Sequence, residues 1–221
     1  MGRYSASEQV RRGLRVGSLI VLITAAILVV LYLATRVAGI SFTDLSRDAA
    51  ATLDGPWYTG ALSNTAVAVL LVGAGIAIFA AGLLPSLESK SRKGLLVGLA
   101  LVVIVVAADD LFMLHEAVFP LIGISSVMSF ALYGVALIAV LWIWRRVIVE
   151  STDWILLALA ALAMGFSVAI DVVLEERLFT LPVSGELIED PAKILGMVFM
   201  SYYLVATSRQ ALLDLMGSDS V

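Results

Sequence analysis

A cluster of ionisable residues interrupts a long apolar run near the middle of the chain. The apolar stretch Leu95–Ala108 is followed directly by Asp109 and Asp110, and then by His115 and Glu116. His115 is the only histidine of the chain. An ionised carboxylate in hydrocarbon costs at least a few kcal/mol, so such residues are usually paired, metal-bound or in contact with water. We therefore expect a functional site here.

Charge at one end of an apolar segment occurs twice more. Asp171 and Glu175 are four residues apart, on one face of a predicted helix, and Glu189 and Lys193 lie near the start of the next segment. Like charges at this spacing repel, so the face with Asp171 and Glu175 requires a positive partner. Three partners are open: the amine of Lys193, a divalent metal, or a proton shared between carboxylates.

A divalent metal fits these residue types. One imidazole with several carboxylates is typical of Zn, Mn or Fe sites, and carboxylates alone suit Ca. The predicted metal ligands are Asp109, His115, Glu116, Asp171 and Glu175. Glu189, or one of these ligands, is predicted to position or deprotonate a metal-bound water, and Lys193 to stabilise developing negative charge. Glu189 and Lys193 would be the catalytic residues of a metal-dependent hydrolase or oxidoreductase.

Each charge also has an ordinary explanation. Glutamates at the ends of apolar segments are commonly solvated, and a single histidine is often a hydrogen-bonded residue of the interior. Asp190 and Pro191 form a common helix start, with Asp as the N-cap and Pro at the first helical position. On a continuous helix, Asp109 and Glu116 point within about 20° of each other, whereas Asp110 points to the side.

The composition is that of an integral membrane protein. Hydrophobic residues make up 61% of the 221 residues and charged residues 14%, and the mean hydropathy is +1.04. A soluble domain of this length needs more polar surface, whereas a bilayer solvates apolar side chains directly. The absence of cysteine excludes disulfides, thiolate metal sites and cysteine nucleophiles. We expect the lipid bilayer as the main partner, and no nucleic acid.

Six apolar segments are each long enough to cross about 30 Å of hydrocarbon. Their predicted bounds are 17–38, 61–85, 94–117, 126–148, 154–177 and 188–212. The sequence therefore predicts an all-α polytopic membrane protein, with residues 1–221 forming a single domain built as a six-transmembrane-helix bundle. Gly73, Gly75 and Gly82 predict a face of the second span that packs closely against another helix.

The distribution of basic residues predicts the orientation. Ten of the fourteen Lys and Arg lie on the side of the two termini, and twelve of the eighteen Asp and Glu lie on the other side. Both termini are therefore predicted to be cytoplasmic, in a prokaryotic plasma (inner) membrane. Asp109 is fifteen residues into the third span, about 22 Å along the helix. The acidic ends of spans three, five and six then share a shallow site at the outer face.

Three classes of function are open. The first is a metal-dependent site that acts on a lipid or another membrane-partitioned small molecule at the outer leaflet. The shallow depth of the predicted site favours this first class over a secondary transporter, whose substrate site usually lies near the midplane of the bilayer. The second is a cation or proton transporter or channel that uses the same carboxylates. The third is an accessory subunit of a membrane complex that docks a partner on its acidic outer face.

Overall fold

The structure is a computed structural model that describes residues 60–85, 90–175 and 186–218, together with 21–23, 25–26, 29–30, 32–33 and 36–39. Side chains at 90, 171–175, 186–189 and 217–218 lie outside this description. The chain forms two compact units, Met1–Thr59 and Gly60–Val221. In the first unit the described residues up to 38 are helical, and the Arg36 guanidinium lies 5.1 Å from the centroid of the Tyr32 ring.

The second unit contains the candidate site and is helical throughout its described part. In chain order its elements are α1 Ala61–Leu83, α2 Lys90–Phe112, a π-helical turn Leu114–Val118, a 3-10 turn Phe119–Ile122, α3 Ser126–Ile143, α4 Arg145–Ser151, α5 Trp154–Glu175 and α6 Glu186–Ser218. The residues that the structure describes include no strand. The all-α prediction is therefore confirmed.

Three helices among the described residues are long and apolar enough to cross a membrane. They are Ala61–Leu83, Ser91–Phe112 and Ser126–Ile143, and Trp154–Ile170 is a shorter apolar helix. Large apolar side chains cover the outer surface of the bundle, and both Phe79 and Trp142 are 67% exposed. Lipid chains solvate such a surface, whereas water does not. The prediction of a helical membrane protein is confirmed, while six spans and cytoplasmic termini stay predictions.

The helix bounds depart from the predicted spans at three places. Helix α2 ends at Phe112, five residues before the predicted end, and the fourth predicted span is divided at Trp144 between α3 and α4. Helix α6 already begins at Glu186, so Asp190 and Pro191 lie inside it. The interpretation of this pair as a helix start is therefore wrong. Pro191 has no amide proton, so this turn of α6 lacks one backbone hydrogen bond.

Helix α6 packs closely against α1 through small residues. A Cβ atom built on Gly73 would lie 2.8 Å from the Cα atom of Ser201, so only glycine allows this approach. The hydroxyl of Ser201 donates a 2.7 Å hydrogen bond to the carbonyl of Val69. The predicted close packing is confirmed at Gly73. At Gly75 and Gly82 it stays a prediction, since an added Cβ would meet no atom of the described residues within 4 Å.

Helix α6 also packs closely against α5. A Cβ atom on Gly196 would lie 2.9 Å from the backbone nitrogen of Met164. Farther along α6, the fully buried Tyr203 places its hydroxyl 3.0 Å from the hydroxyl of Thr152, just before α5. Two close helix contacts therefore hold α6 in place, and with it Lys193 near its beginning.

Candidate functional site

Helix α2 ends directly after its two aspartates, and the chain then changes direction. Met113 has a left-handed backbone, with φ 50° and ψ 45°, which is uncommon for a residue other than glycine and does not continue an α-helix. Leu114–Val118 then forms one π-helical turn, an element that is frequent at functional sites. This break places His115 beside the last turn of α2.

Asp109 and His115 form a buried pair at this break. One carboxylate oxygen of Asp109, Oδ2, lies 2.6 Å from Nδ1 of His115, and the other accepts a 2.8 Å hydrogen bond from the His115 backbone N–H. Asp109 is 4% exposed and His115 8%. Ser126 donates to the His115 carbonyl at 3.2 Å, and the Phe130 ring lies 4.7 Å from the imidazole, centroid to centroid. Backbone and ring of His115 are thus both held in place.

The pair determines which ring nitrogen is available for chemistry. With Asp109 ionised, Nδ1 donates its proton to the carboxylate, and Nε2 of the neutral imidazole carries the lone pair. Nε2 lies 3.5 Å from Oε1 of Glu116, whose side chain is 63% exposed. A carboxylate orients a catalytic or metal-binding histidine in the same way in many enzymes. His115 can therefore accept a proton, accept a hydrogen bond or bind a metal through Nε2.

Asp110 makes a second charged contact, with Lys193 of α6. Its Oδ1 lies 3.0 Å from the Lys193 amine, and Ser63 of α1 donates a 2.8 Å hydrogen bond to its Oδ2. The side chains of Asp110 and Lys193 are 13% and 29% exposed. Asp110 was not among the predicted site residues, because on a continuous helix it points to the side of Asp109. Helices α1 and α6 supply its partners in that direction, and Asp110 lines the same cavity as Asp109.

An apolar cavity of about 260 Å³ lies beside these polar groups, between α2, α3, α5 and α6. Its polar and charged lining residues are Asp109, Asp110, His115, Glu116, Tyr133, Ser167 and Lys193. Aliphatic side chains, glycines and Phe130 form the rest of the lining. A few polar groups at the edge of an apolar cavity are typical of sites for molecules with an apolar body and a polar end.

Tyr133 and Ser167 belong to this cavity but were not among the predicted site residues. The Tyr133 hydroxyl is buried, and it interacts with the carboxylate of Asp109. Ser167 is buried on α5. The one signal in the sequence is that each is a polar residue inside an otherwise apolar segment, which by itself does not tell a cavity from helix packing.

The structure brings three of the five predicted metal ligands together, namely Asp109, His115 and Glu116. The side chains of Asp171, Glu175 and Glu189 lie outside the described residues. Within the described residues, no group of three or more acidic or histidine side chains is arranged to hold a metal ion. The reason is that the carboxylates of Asp109 and Asp110 already bind the imidazole and the amine.

A family model matches residues 20–207, a range that includes the break after α2, the buried pair and Lys193. The chain belongs to this family, which is described as Domain of unknown function (DUF8692). Neither a curated protein nor a solved structure matches the chain. The family description states no activity, so function is argued from the site itself.

Proposed function

We propose that this protein binds a membrane-partitioned molecule, a lipid or a small amphipathic compound, in the cavity between α2, α3, α5 and α6. The polar end of the molecule contacts Nε2 of His115. The observation that supports this proposal is the position of the buried pair of Asp109 and His115, which presents one oriented imidazole at the edge of an otherwise apolar cavity.

The polar end of the ligand provides most of the affinity. An apolar chain gains little when it moves from lipid into an apolar cavity, because the two surroundings are equally apolar. A hydrogen bond in a low-dielectric site is stronger than in water. Nε2 accepts such a bond from a hydroxyl or an amide of the ligand, and the buried Tyr133 hydroxyl and Lys193 line the same cavity.

The same arrangement supports acid–base catalysis. When Nε2 takes a proton from a hydroxyl or a water, the adjacent Asp109 stabilises the imidazolium that forms. The deprotonated oxygen can then attack the carbonyl carbon of an ester in the bound molecule. The bond from that carbon to the leaving alcohol oxygen breaks, and the imidazolium returns its proton to this oxygen. Lys193 is the nearby cation that would stabilise the developing negative charge. At the level of a reaction, we therefore propose hydrolysis or transfer on a membrane-partitioned substrate.

Organic extraction of the purified protein, followed by mass spectrometry, tests the binding proposal. Gly134 lines the cavity, and a Cβ atom there would meet no atom of the described residues within 4 Å, so we expect Gly134→Leu to reduce the space for a ligand while the helices keep their packing. We expect the wild type to release an apolar or amphipathic compound, and the variant to release about tenfold less, which is about 1.4 kcal/mol of binding free energy.

Gly75→Leu is the matched control for this experiment. Gly75 also has open surroundings, but it lies on α1 and does not line the cavity. His115→Phe adds a second comparison, since it keeps a ring beside Phe130 and removes Nε2. Equal amounts of the same compound from the wild type, Gly134→Leu and His115→Phe would contradict the proposal.

A divalent metal is the second candidate for the same site. Nε2 of His115 and Oε1 of Glu116 are 3.5 Å apart, a separation that two ligands of one ion commonly have. Asp109 would then be the carboxylate that orients the metal-bound imidazole, and not a ligand itself. Side chains outside the described residues, among them Asp171 and Glu175, would have to complete the site.

Metal analysis of the purified protein tests this second candidate. We expect about one Zn, Mn, Fe or Ca ion per chain, and loss of that ion in Glu116→Gln together with His115→Gln. A protein without stoichiometric metal, whose thermal stability is the same with and without added divalent ions, would remove the metal from the proposal. Ion conduction and a role as an accessory subunit stay predictions.

A further inference from the structure

A second cavity lies at the opposite end of helix α2, and its charge is positive. We call it the basic notch, and its lining includes Ser91, Lys93, Gly94, Trp144, Arg145 and Arg146. The notch lies between the beginning of α2 and the break that separates α3 from α4. None of the groups in the proposed ligand cavity contributes to it.

Trp144 forms one wall of the basic notch. It interrupts the helix between α3 and α4, with φ −105° and ψ 18°, and its indole ring packs against two glycines of α2. A Cβ atom on Gly94 would fall 2.7 Å from the ring, and one on Gly98 would fall 3.0 Å from it. The close fit between indole and glycine keeps the two sides of the notch at a constant separation.

The notch concentrates positive charge. Lys93, Arg145 and Arg146 line it, and no Asp or Glu among the described residues does. The Arg145 guanidinium donates to the carbonyl of Trp142 and stacks on its ring at 4.6 Å, contacts that leave its charge in place. The neighbouring Arg92 differs, because it forms an ion pair with Asp214 of α6.

The position of the notch corresponds to the polar boundary of a bilayer. Helix α2 begins there and helix α3 ends there, and both are long and apolar enough to cross a membrane. Trp142, which is 67% exposed, is of the type that is enriched at the membrane–water boundary. Phosphate groups of lipids lie at this depth, and the side chains of Val97 and Ile143 add an apolar part to the lining.

We propose that the basic notch binds the headgroup of an anionic phospholipid. The phosphate lies against Lys93 and Arg146, and the first carbons of the lipid lie against Trp144 and Val97. Basic pockets between membrane helices are typical sites for anionic headgroups, and each Lys or Arg near the surface contributes to the attraction. This proposal is independent of the ligand proposed for the cavity near His115, and its test uses different residues.

Native mass spectrometry of the full chain in a neutral detergent tests the proposal. The protein is mixed with dioleoyl phosphatidylglycerol, with dioleoyl phosphatidylcholine, or with inorganic phosphate, and the retained molecules are counted. We expect the wild type to retain one phosphatidylglycerol at least about tenfold more tightly than phosphatidylcholine. Millimolar inorganic phosphate should not displace the bound lipid.

Two double variants isolate the contribution of the notch. Lys93→Gln with Arg146→Gln removes two cations from the notch, and we expect about tenfold weaker retention of phosphatidylglycerol. Arg92→Gln with Arg209→Gln removes the same charge from residues outside the notch, and we expect less than about a twofold change. Thermal unfolding of both variants in the same detergent confirms that each is folded.

Three outcomes would overturn the proposal. The first is equal retention of the two lipids by the wild type, a comparison that needs no variant. The second is the same loss in both double variants, which would indicate attraction by total charge. The third is displacement of phosphatidylglycerol by inorganic phosphate, which would identify a site for a soluble anion. Tight retention of one anionic lipid that only the notch variant loses supports it.

Discussion

The two ends of helix α2 differ in how their charged side chains are paired. At one end, Asp109 and Asp110 bind His115 and Lys193 of the same chain, and Asp109 is only 4% exposed. At the other end, three cations line the basic notch, and no carboxylate among the described residues lines it. Charges that find partners within the chain can be buried, whereas charges without internal partners stay accessible and attract ions from outside.

This comparison explains why the two ends have different proposed ligands. At the acidic end Asp109 holds Nδ1 of His115, and the imidazole lines an apolar cavity together with Glu116 and Lys193. That end favours a molecule with a hydrogen-bonding group. The notch keeps its positive charge, so it favours an anion. Substitutions at either end of α2 should therefore have different effects on stability.

Removal of the Asp109 carboxylate should cause the largest loss of stability. Asp109→Ala leaves the backbone N–H and the Nδ1–H of His115 buried without an acceptor. Each buried group without a partner costs about 1–3 kcal/mol, so we expect a loss of about 3–5 kcal/mol in the free energy of unfolding in detergent. Glu116→Ala is the control, since its side chain is 63% exposed and its loss should cost below about 0.5 kcal/mol. Similar losses would show that the pair is not internally stabilised.

A larger side chain at the contact between α5 and α6 should lower the stability of the protein. Gly196→Ala places a Cβ atom 2.9 Å from the Met164 backbone, and such overpacking costs about 1–3 kcal/mol. Gly75→Ala is the matched change in open surroundings, and the better helix propensity of alanine should raise stability by up to about 1 kcal/mol. Thermal unfolding of both variants shows whether each substitution raises or lowers the stability of the protein. A Gly196→Ala protein as stable as the wild type would mean that α6 is not held rigidly near Lys193.

The ion pair of Asp110 and Lys193 should contribute a moderate coupling. A double-mutant cycle with Asp110→Asn, Lys193→Gln and the double variant measures it from unfolding free energies. We expect about 1 kcal/mol, because Asp110 is 13% exposed but Lys193 is 29% exposed and therefore partly screened. Additive effects would mean that the two charges do not stabilise each other. Asp109 would then be the one stabilising charge left at the acidic end of α2 in the comparison with the basic notch.

Neutralising the basic notch should change stability least. Lys93→Gln with Arg146→Gln removes charges that no described acidic side chain pairs with, so the unfolding free energy in lipid-free neutral detergent should change by less than about 0.5 kcal/mol. The same measurement with added phosphatidylglycerol should stabilise the wild type more than this variant. A large loss without lipid would show that the notch, like the acidic end, is closed by contacts within the chain.

The site shows where sequence patterns stop being informative. Six residues separate Asp109 from His115, and on a continuous helix their side chains would point about 120° apart. They are in contact because the backbone of Met113 is left-handed and ends the helix. No periodicity of apolar residues signals a positive φ at a methionine. The helical wheel therefore grouped Asp109 with Glu116, whereas the fold joins Asp109 to His115.

What the sequence by itself determined is the class of protein and the location of its charges. The all-α architecture and the apolar helices follow from how single residues partition between water and lipid, which depends on local composition. The tertiary structure decided which residues these charged and aromatic side chains contact. Asp110 meets Lys193 and Trp144 covers Gly94 only after helices distant in the chain have packed together. Such contacts depend on the separation of whole helices, and that separation is a property of their packing and not of any one segment.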